Sequence, residues 1–181
     1  MSVPADYFEL LGLPIQLAVS SEDLQRKFYE LSRKLHPDKF ARKSEHERQF
    51  ALDASSQLND AYRTLRNPIT RAEYVLKQQG FDMGERRSKD VPPELLEEVF
   101  ELNMALEEMR AGDQSARPQL VQAGDNFTTM LAGVDRQLEA LFVKYDANPG
   151  RDALGEIRGV LNRRKYILNL VNEVNGALNP Q

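Results

Sequence analysis

Apolar side chains return at spacings of three and four residues along almost the whole chain. No run alternates apolar and polar residues as a half-buried strand would. The periodicity predicts an all-α protein. Asp6 caps a first short helix through Tyr7, Phe8, Leu10 and Leu11, which Gly12-Leu13-Pro14 stops. Ser20, with Asp23 three residues on, opens a second helix whose stripe is Leu24, Phe28, Leu31 and Leu35. Pro37 turns His36 away from helical geometry, so a loop is expected from about His36 to Ser44. A third helix begins near Glu45 and carries Ala51, Ala54, Leu58, Ala61, Tyr62 and Leu65, antiparallel to the second. Asn67-Pro68 ends it and starts a fourth helix, closed by Gly80.

Beyond Gly80 the pattern breaks into a stretch rich in Gly, Pro and charge. The expected organisation is therefore an N-terminal domain over 1–79, a linker over 80–92 and a C-terminal domain over 93–181. The C-terminal part reads as helices over roughly 93–110, 118–145 and 150–178, whose short connections predict a three-helix bundle. In the last of these, Leu154, Ile157, Val160, Leu161, Ile167, Leu168 and Val171 are expected to point inward. Tyr166 and Leu170 are expected on the opposite side, beside Arg163 and Lys165.

Composition narrows the chemistry. The 181 residues contain no Cys, so the chain itself supplies no disulfide, thiolate nucleophile, zinc finger or cysteine-ligated iron-sulfur cluster. No run approaches 18 apolar residues and the N-terminus has no leader pattern, so a cytoplasmic protein with no membrane association is expected. Two histidines without a nucleophile, a phosphate loop or a paired buried carboxylate argue against an enzyme. His36, Asp38 and His46 have ligand chemistry, but their loop spacing provides no third strong ligand on one helical face, so neither metal nor cofactor is expected.

The formal net charge is -4, yet charge is unevenly spread: Leu24 to Lys43 holds seven bases and two acids. Arg26, Lys27, Arg33 and Lys34 lie away from the apolar stripe of the second helix. A cationic helix face could track phosphates, but aromatic platforms and further basic patches are missing, which argues against nucleic acid as the partner. A protein partner with an acidic surface is the better match, with Asp38 offering an acceptor to a partner's Arg.

Asp6-Tyr-Phe-Glu-Leu-Leu-Gly-Leu-Pro14, the basic helix running into His36-Pro37-Asp38-Lys39, Leu58-Asn-Asp-Ala-Tyr-Arg-Thr-Leu65 and Asn67-Pro-Ile-Thr-Arg-Ala-Glu-Tyr74 together resemble a J-domain over residues 5–78. The resemblance implies that His36, Pro37 and Asp38, with Arg26, Lys27, Arg33, Lys34 and Lys39, dock on a DnaK-type chaperone and stimulate its ATP hydrolysis.

The helix after the linker has a core stripe of Leu95, Val99, Leu102, Leu106 and Met109. A second row, Leu96, Phe100 and Met104, recurs every four residues about 140° away, bordered by Glu97, Glu101 and Glu107. This breadth is compatible with two bundle neighbours, with packing on the first domain, or with a partner for which Phe100 is the anchor and Met104 an adaptable contact.

A J-domain followed by a three-helix bundle, with Arg71-Ala-Glu-Tyr-Val-Leu76 and Gly80-Phe-Asp82 between, resembles the HscB-type co-chaperones of iron-sulfur cluster assembly. That resemblance implies an HscA-type chaperone and an IscU-type cluster scaffold as partners. A monomer is expected, and the alternative is a general J-protein with another client or a bundle that dimerises through Leu96, Phe100 and Met104. It implies scaffold contacts by Leu96, Glu97, Phe100, Glu101 and Met104, with Lys165 and Tyr166 from the last helix. Leu96, Phe100 and Glu101 match the family's segment in type. Glu97 stands where an apolar residue is common, and Asn103 and Met104 replace Arg and Glu.

Overall fold

Each helix start carries a local reason to be there. In the computed structural model, which describes residues 6–81 and 92–179, α1 (Tyr7–Leu11) begins at Asp6, whose carboxylate accepts from the Phe8 and Glu9 N–H groups at 2.8 and 3.0 Å. Gly12 closes it in the left-handed region (φ 62°), with Gly12 N–H bonded to Glu9 C=O and Leu13 N–H to Phe8 C=O. Ser20 accepts from Asp23 N–H to start α2 (Ser21–Leu35). A capping box at Ser44 and Glu47 starts α3 (Glu45–Arg66). Asn67 accepts from Ile69 and Thr70 N–H, and Pro68 occupies the first position of α4 (Pro68–Gln78). The loop expected over 36–44 contains a 3-10 turn, Pro37–Phe40, because Pro37 fixes φ while His36 accepts the first free N–H.

After a 3-10 turn at Pro93–Leu95 come α5 (Leu96–Arg110), a short 3-10 turn at Gln114–Ala116, α6 (Arg117–Ala147) and α7 (Arg151–Leu178). The described residues thus contain seven α-helices and no strand, an all-α protein. Apart from its ends, the linker expected over 80–92 lies outside the described residues.

The chain divides into two compact units. The first comprises residues up to Phe81 together with Phe142–Gly150, and the second comprises the rest of the described chain. The core of the first joins Phe8 and Leu11 of α1, Leu17, Leu24 of α2, Leu58 and Leu65 of α3, and Val75 and Leu76 of α4. Ala51, Ala54 and Ala61 are fully buried on α3, small enough to admit its neighbours closely. On α2 only Leu24 is fully buried, and Phe28 stacks on Tyr62 of α3 with ring centroids 4.2 Å apart.

In the second unit Leu95, Val99, Leu102 and Leu106 of α5 are buried with Phe127, Val134 and Leu138 of α6 and Leu154, Ile157, Val160, Leu161 and Ile167 of α7. One expectation fails here. Leu170 is buried, Tyr166 is half-buried, and Leu168 and Val171 are only partly covered. The apolar repeat in α7 averages less than 3.6 residues, so the buried stripe rotates around the helix and brings Leu170 and Val174 inside by the last turns.

A candidate chaperone-docking turn and an exposed apolar row

The junction of α2 with the Pro37–Phe40 turn is built by three consecutive side chains. His36 ends α2 with an extended ψ of 126°, as a residue before proline must, and Pro37 begins the turn. The Asp38 N–H donates to His36 Nδ1 at 3.3 Å, and the Lys39 N–H donates to the His36 carbonyl at 3.0 Å. For Nδ1 to accept, the neutral ring must carry its proton on Nε2. If Nδ1 is protonated instead, it faces the Asp38 carboxylate at 3.5 Å. The Asp38 side chain is 89% exposed, so its carboxylate projects from a pinned backbone and remains open to an external donor.

The basic residues surround this turn unevenly. Arg33, Lys34 and Lys39 are exposed and form no ion pair among the described residues. Arg26 is held by Asp23 at 2.6 Å one turn earlier, and Lys27 reaches back beside Gly12. The field nearest His36-Pro37-Asp38 therefore comes from Arg33, Lys34 and Lys39, while Arg26 is partly neutralised.

On α5, Leu96, Phe100 and Met104 form an exposed row one turn apart, and Phe100 is 65% exposed. Glu97 and Glu101 are exposed beside them. This separates the two stripes expected on this helix: Leu95, Val99, Leu102 and Leu106 are buried, Met109 in the last turn is only partly covered, and the second row is left uncovered within its unit. Met104 and Glu101 also border a groove of about 400 Å³ between α5 and α6, floored by Leu102, Ala105 and Phe127.

Lys165 and Tyr166 lie on α7, away from the chain segment of the row but in the same unit. Arg163 of α7 approaches Glu94 just ahead of α5 at 3.7 Å, and Glu173 approaches Arg110 at 3.9 Å. α5 and α7 therefore run parallel, with Tyr166 falling between those rungs on one helix as Phe100 does on the other. Burial, then the nearby charge of Glu173, raises the Tyr166 phenol above its ordinary pKa. Among the described residues no group of three His, Cys, Asp or Glu side chains could hold a metal, and no helix is long and apolar enough to cross a membrane.

Two structurally important charged residues escaped the sequence reading. Arg71, noted only as part of a motif, is 6% exposed. Its Nε donates to the Leu17 carbonyl at 2.9 Å and its Nη1 to the Leu65 carbonyl at 2.7 Å. Asp146 accepts from the Leu17 and Ala18 N–H groups, both at 2.7 Å. The one available cue is that each charge opposes its helix dipole: Arg71 lies in the first turn of α4 and Asp146 in the last turn of α6.

A four-helix unit with a His-Pro-Asp turn at the end of a basic amphipathic helix defines a J-domain protein. Residues 6–74 match the family described as the DnaJ domain, and residues 91–175 match the HSCB C-terminal oligomerisation domain. The chain is 35% identical over 170 residues to the Co-chaperone protein HscB homolog of Vibrio atlanticus, covering 93% of this chain and 94% of that one. With the homolog from Vibrio vulnificus it shares 42% identity over 174 residues at the same coverage. Among solved structures it resembles chaperone HscB from Vibrio cholerae, with a TM-score of 0.64, 34% identity and coverage of 94% and 95%. It also resembles human co-chaperone protein HscB, with a TM-score of 0.71, 25% identity and coverage of 100% and 86%. The chain belongs to the HscB family of J-domain co-chaperones.

Proposed function

We propose that this protein serves iron-sulfur cluster assembly by stimulating the ATPase of an HscA-type DnaK chaperone and delivering an IscU-type cluster scaffold to it. It acts by binding, with no catalytic residue of its own. The observation that carries this reading is one chain bearing two separate surfaces: an open His36-Pro37-Asp38 turn at the end of a basic helix, and an uncovered apolar row at Leu96, Phe100 and Met104.

The physics assigns different work to each. Arg33, Lys34 and Lys39 steer the first surface toward an acidic one, and Asp38 offers a charge-assisted acceptor to a guanidinium there. On α5, Phe100 is the large apolar anchor, Leu96 and Met104 extend its contact, and Glu97 and Glu101 form a charged rim. Lys165 and Tyr166 belong to this reading as contributors from α7. Joining both surfaces in one chain raises the concentration of the scaffold at the chaperone without any new contact.

The test is the ATPase rate of an HscA-type chaperone with this protein, in the presence and absence of scaffold. His36→Gln should abolish stimulation and retain scaffold binding, whereas Phe100→Ala should lose scaffold binding and retain basal stimulation. If each variant loses both activities, the two-surface reading is wrong.

A further inference from the structure

The end of α6 belongs by sequence to the region matched by the HscB C-terminal family, yet Phe142–Gly150 groups with the N-terminal unit. Its attachment is partly apolar. Phe142 and Tyr145 are buried, and their spacing of three, with Asp146 at four, sets all three on one helical face. It is also polar, and unusually complete. The Asp146 carboxylate takes the N–H groups of Leu17 and Ala18, one on each oxygen, at 2.7 Å. From the other side Arg71 donates to the Leu17 carbonyl, and its Nη1 continues to Leu65 of α3. The segment between α1 and α2 is therefore gripped through donors and acceptor alike by two side chains distant in sequence. Burial lowers the Arg71 pKa and the nearby Asp146 charge opposes that shift, so the carboxylate also helps Arg71 stay charged where it is buried.

We infer that Asp146 is a positioning residue: with Phe142 and Tyr145 it makes the end of α6 a structural element of the J-domain unit and sets the segment from which basic helix α2 departs. Ser20, the cap of α2, lies two residues beyond Ala18, so freedom at Leu17 and Ala18 is passed directly to the start of that helix. Its consequence for chaperone engagement rests on the proposed function, while the structural statement does not.

The test is residue-resolved amide hydrogen exchange on the full-length chain, in water and in rising sub-denaturing urea. In the wild type, amides of residues 142–147 should lose protection together with α1–α4, and not with the part of α6 around Phe127 and Val134. Asp146→Ala should accelerate exchange at Leu17 and Ala18 about tenfold or more, the scale expected for losing hydrogen bonds to a charged acceptor. Asp146→Asn, which keeps one acceptor oxygen, should fall between. Asp146→Ala should also raise several-fold the concentration needed for half-maximal ATPase stimulation, with binding to scaffold unchanged. Unaltered exchange at Leu17 and Ala18, or protection at 142–147 that follows the rest of α6, would overturn the inference. If the wild type stimulates no ATPase, the proposed function fails and the exchange data still decide the role of Asp146.

Discussion

His36 does two jobs that a substitution cannot easily divide. Its ring nitrogen caps the turn that follows, through the Asp38 N–H, and its extended backbone ends α2. Glu47 is a simpler case of a side chain fastening backbone. One of its oxygens accepts from both the Ser44 hydroxyl at 2.7 Å and the Ser44 N–H at 3.0 Å, while Glu47 N–H donates to Ser44 Oγ at 3.3 Å. Hydrogen bonding to the Ser44 side chain, then to its backbone, holds the Glu47 carboxyl below the ordinary value of 4.5. Because the folded pKa is depressed, this stabilisation is present above the unfolded value and is lost as pH falls through the folded one. An NMR titration should therefore give Glu47 a midpoint below 4.5, and Ser44→Ala should return it toward that value, with fraying of the first turn of α3.

Among the elements, glycines within helices separate local propensity from packing. Gly155 and Gly159 of α7 face open space, so replacing either by Ala adds no contact and removes backbone freedom from the unfolded chain. Each change should raise stability by about 0.5–1 kcal/mol in urea unfolding. Gly124 of α6 differs, because a Cβ there would lie 3.1 Å from Cγ1 of Val174, itself fully buried on α7. Gly124→Ala should therefore gain nothing or lose stability, since the helices must separate slightly to admit the methyl group. Equal gains at all three positions would mean that the α6–α7 contact is looser than described. The helices themselves were largely legible because caps and breaks act within four residues: Asp6, Ser20, Asn67-Pro68 and Gly12 do locally what their chemistry predicts. Leu170 was misassigned because a small departure from a 3.6-residue repeat accumulates over a 28-residue helix.

For the molecule as a whole, exposure separates the residues that hold the fold from those the fold leaves uncovered. Phe100 and Leu102 are two positions apart on α5, yet one is largely exposed and the other is buried in the second unit. Leu102→Ala should cost about 2–5 kcal/mol by leaving a cavity. Phe100→Ala should change stability by less than about 0.5 kcal/mol, and this near-neutral result, set beside lost scaffold binding, would mark Phe100 as a contact residue. A large stability loss from Phe100→Ala, measured by urea unfolding, would instead make it part of the fold.

The sequence by itself determined the all-α class, the helix boundaries to within a few residues, the basic face of α2 and the existence of two apolar rows on α5. Each is a property of neighbours along one helix, where a 100° step and a capping oxygen decide the outcome. It marked the Leu95 row of α5 as the core stripe but could not say whether the Leu96, Phe100 and Met104 row would be covered as well, because an arc wide enough for two contacts does not specify the second. Nor could it assign Phe142–Gly150 to the N-terminal unit, or join Asp146 to Leu17 and Ala18 across about 130 residues. Those outcomes belong to the tertiary structure, where burial makes an unpaired peptide group or guanidinium costly and selects the distant side chain that satisfies it.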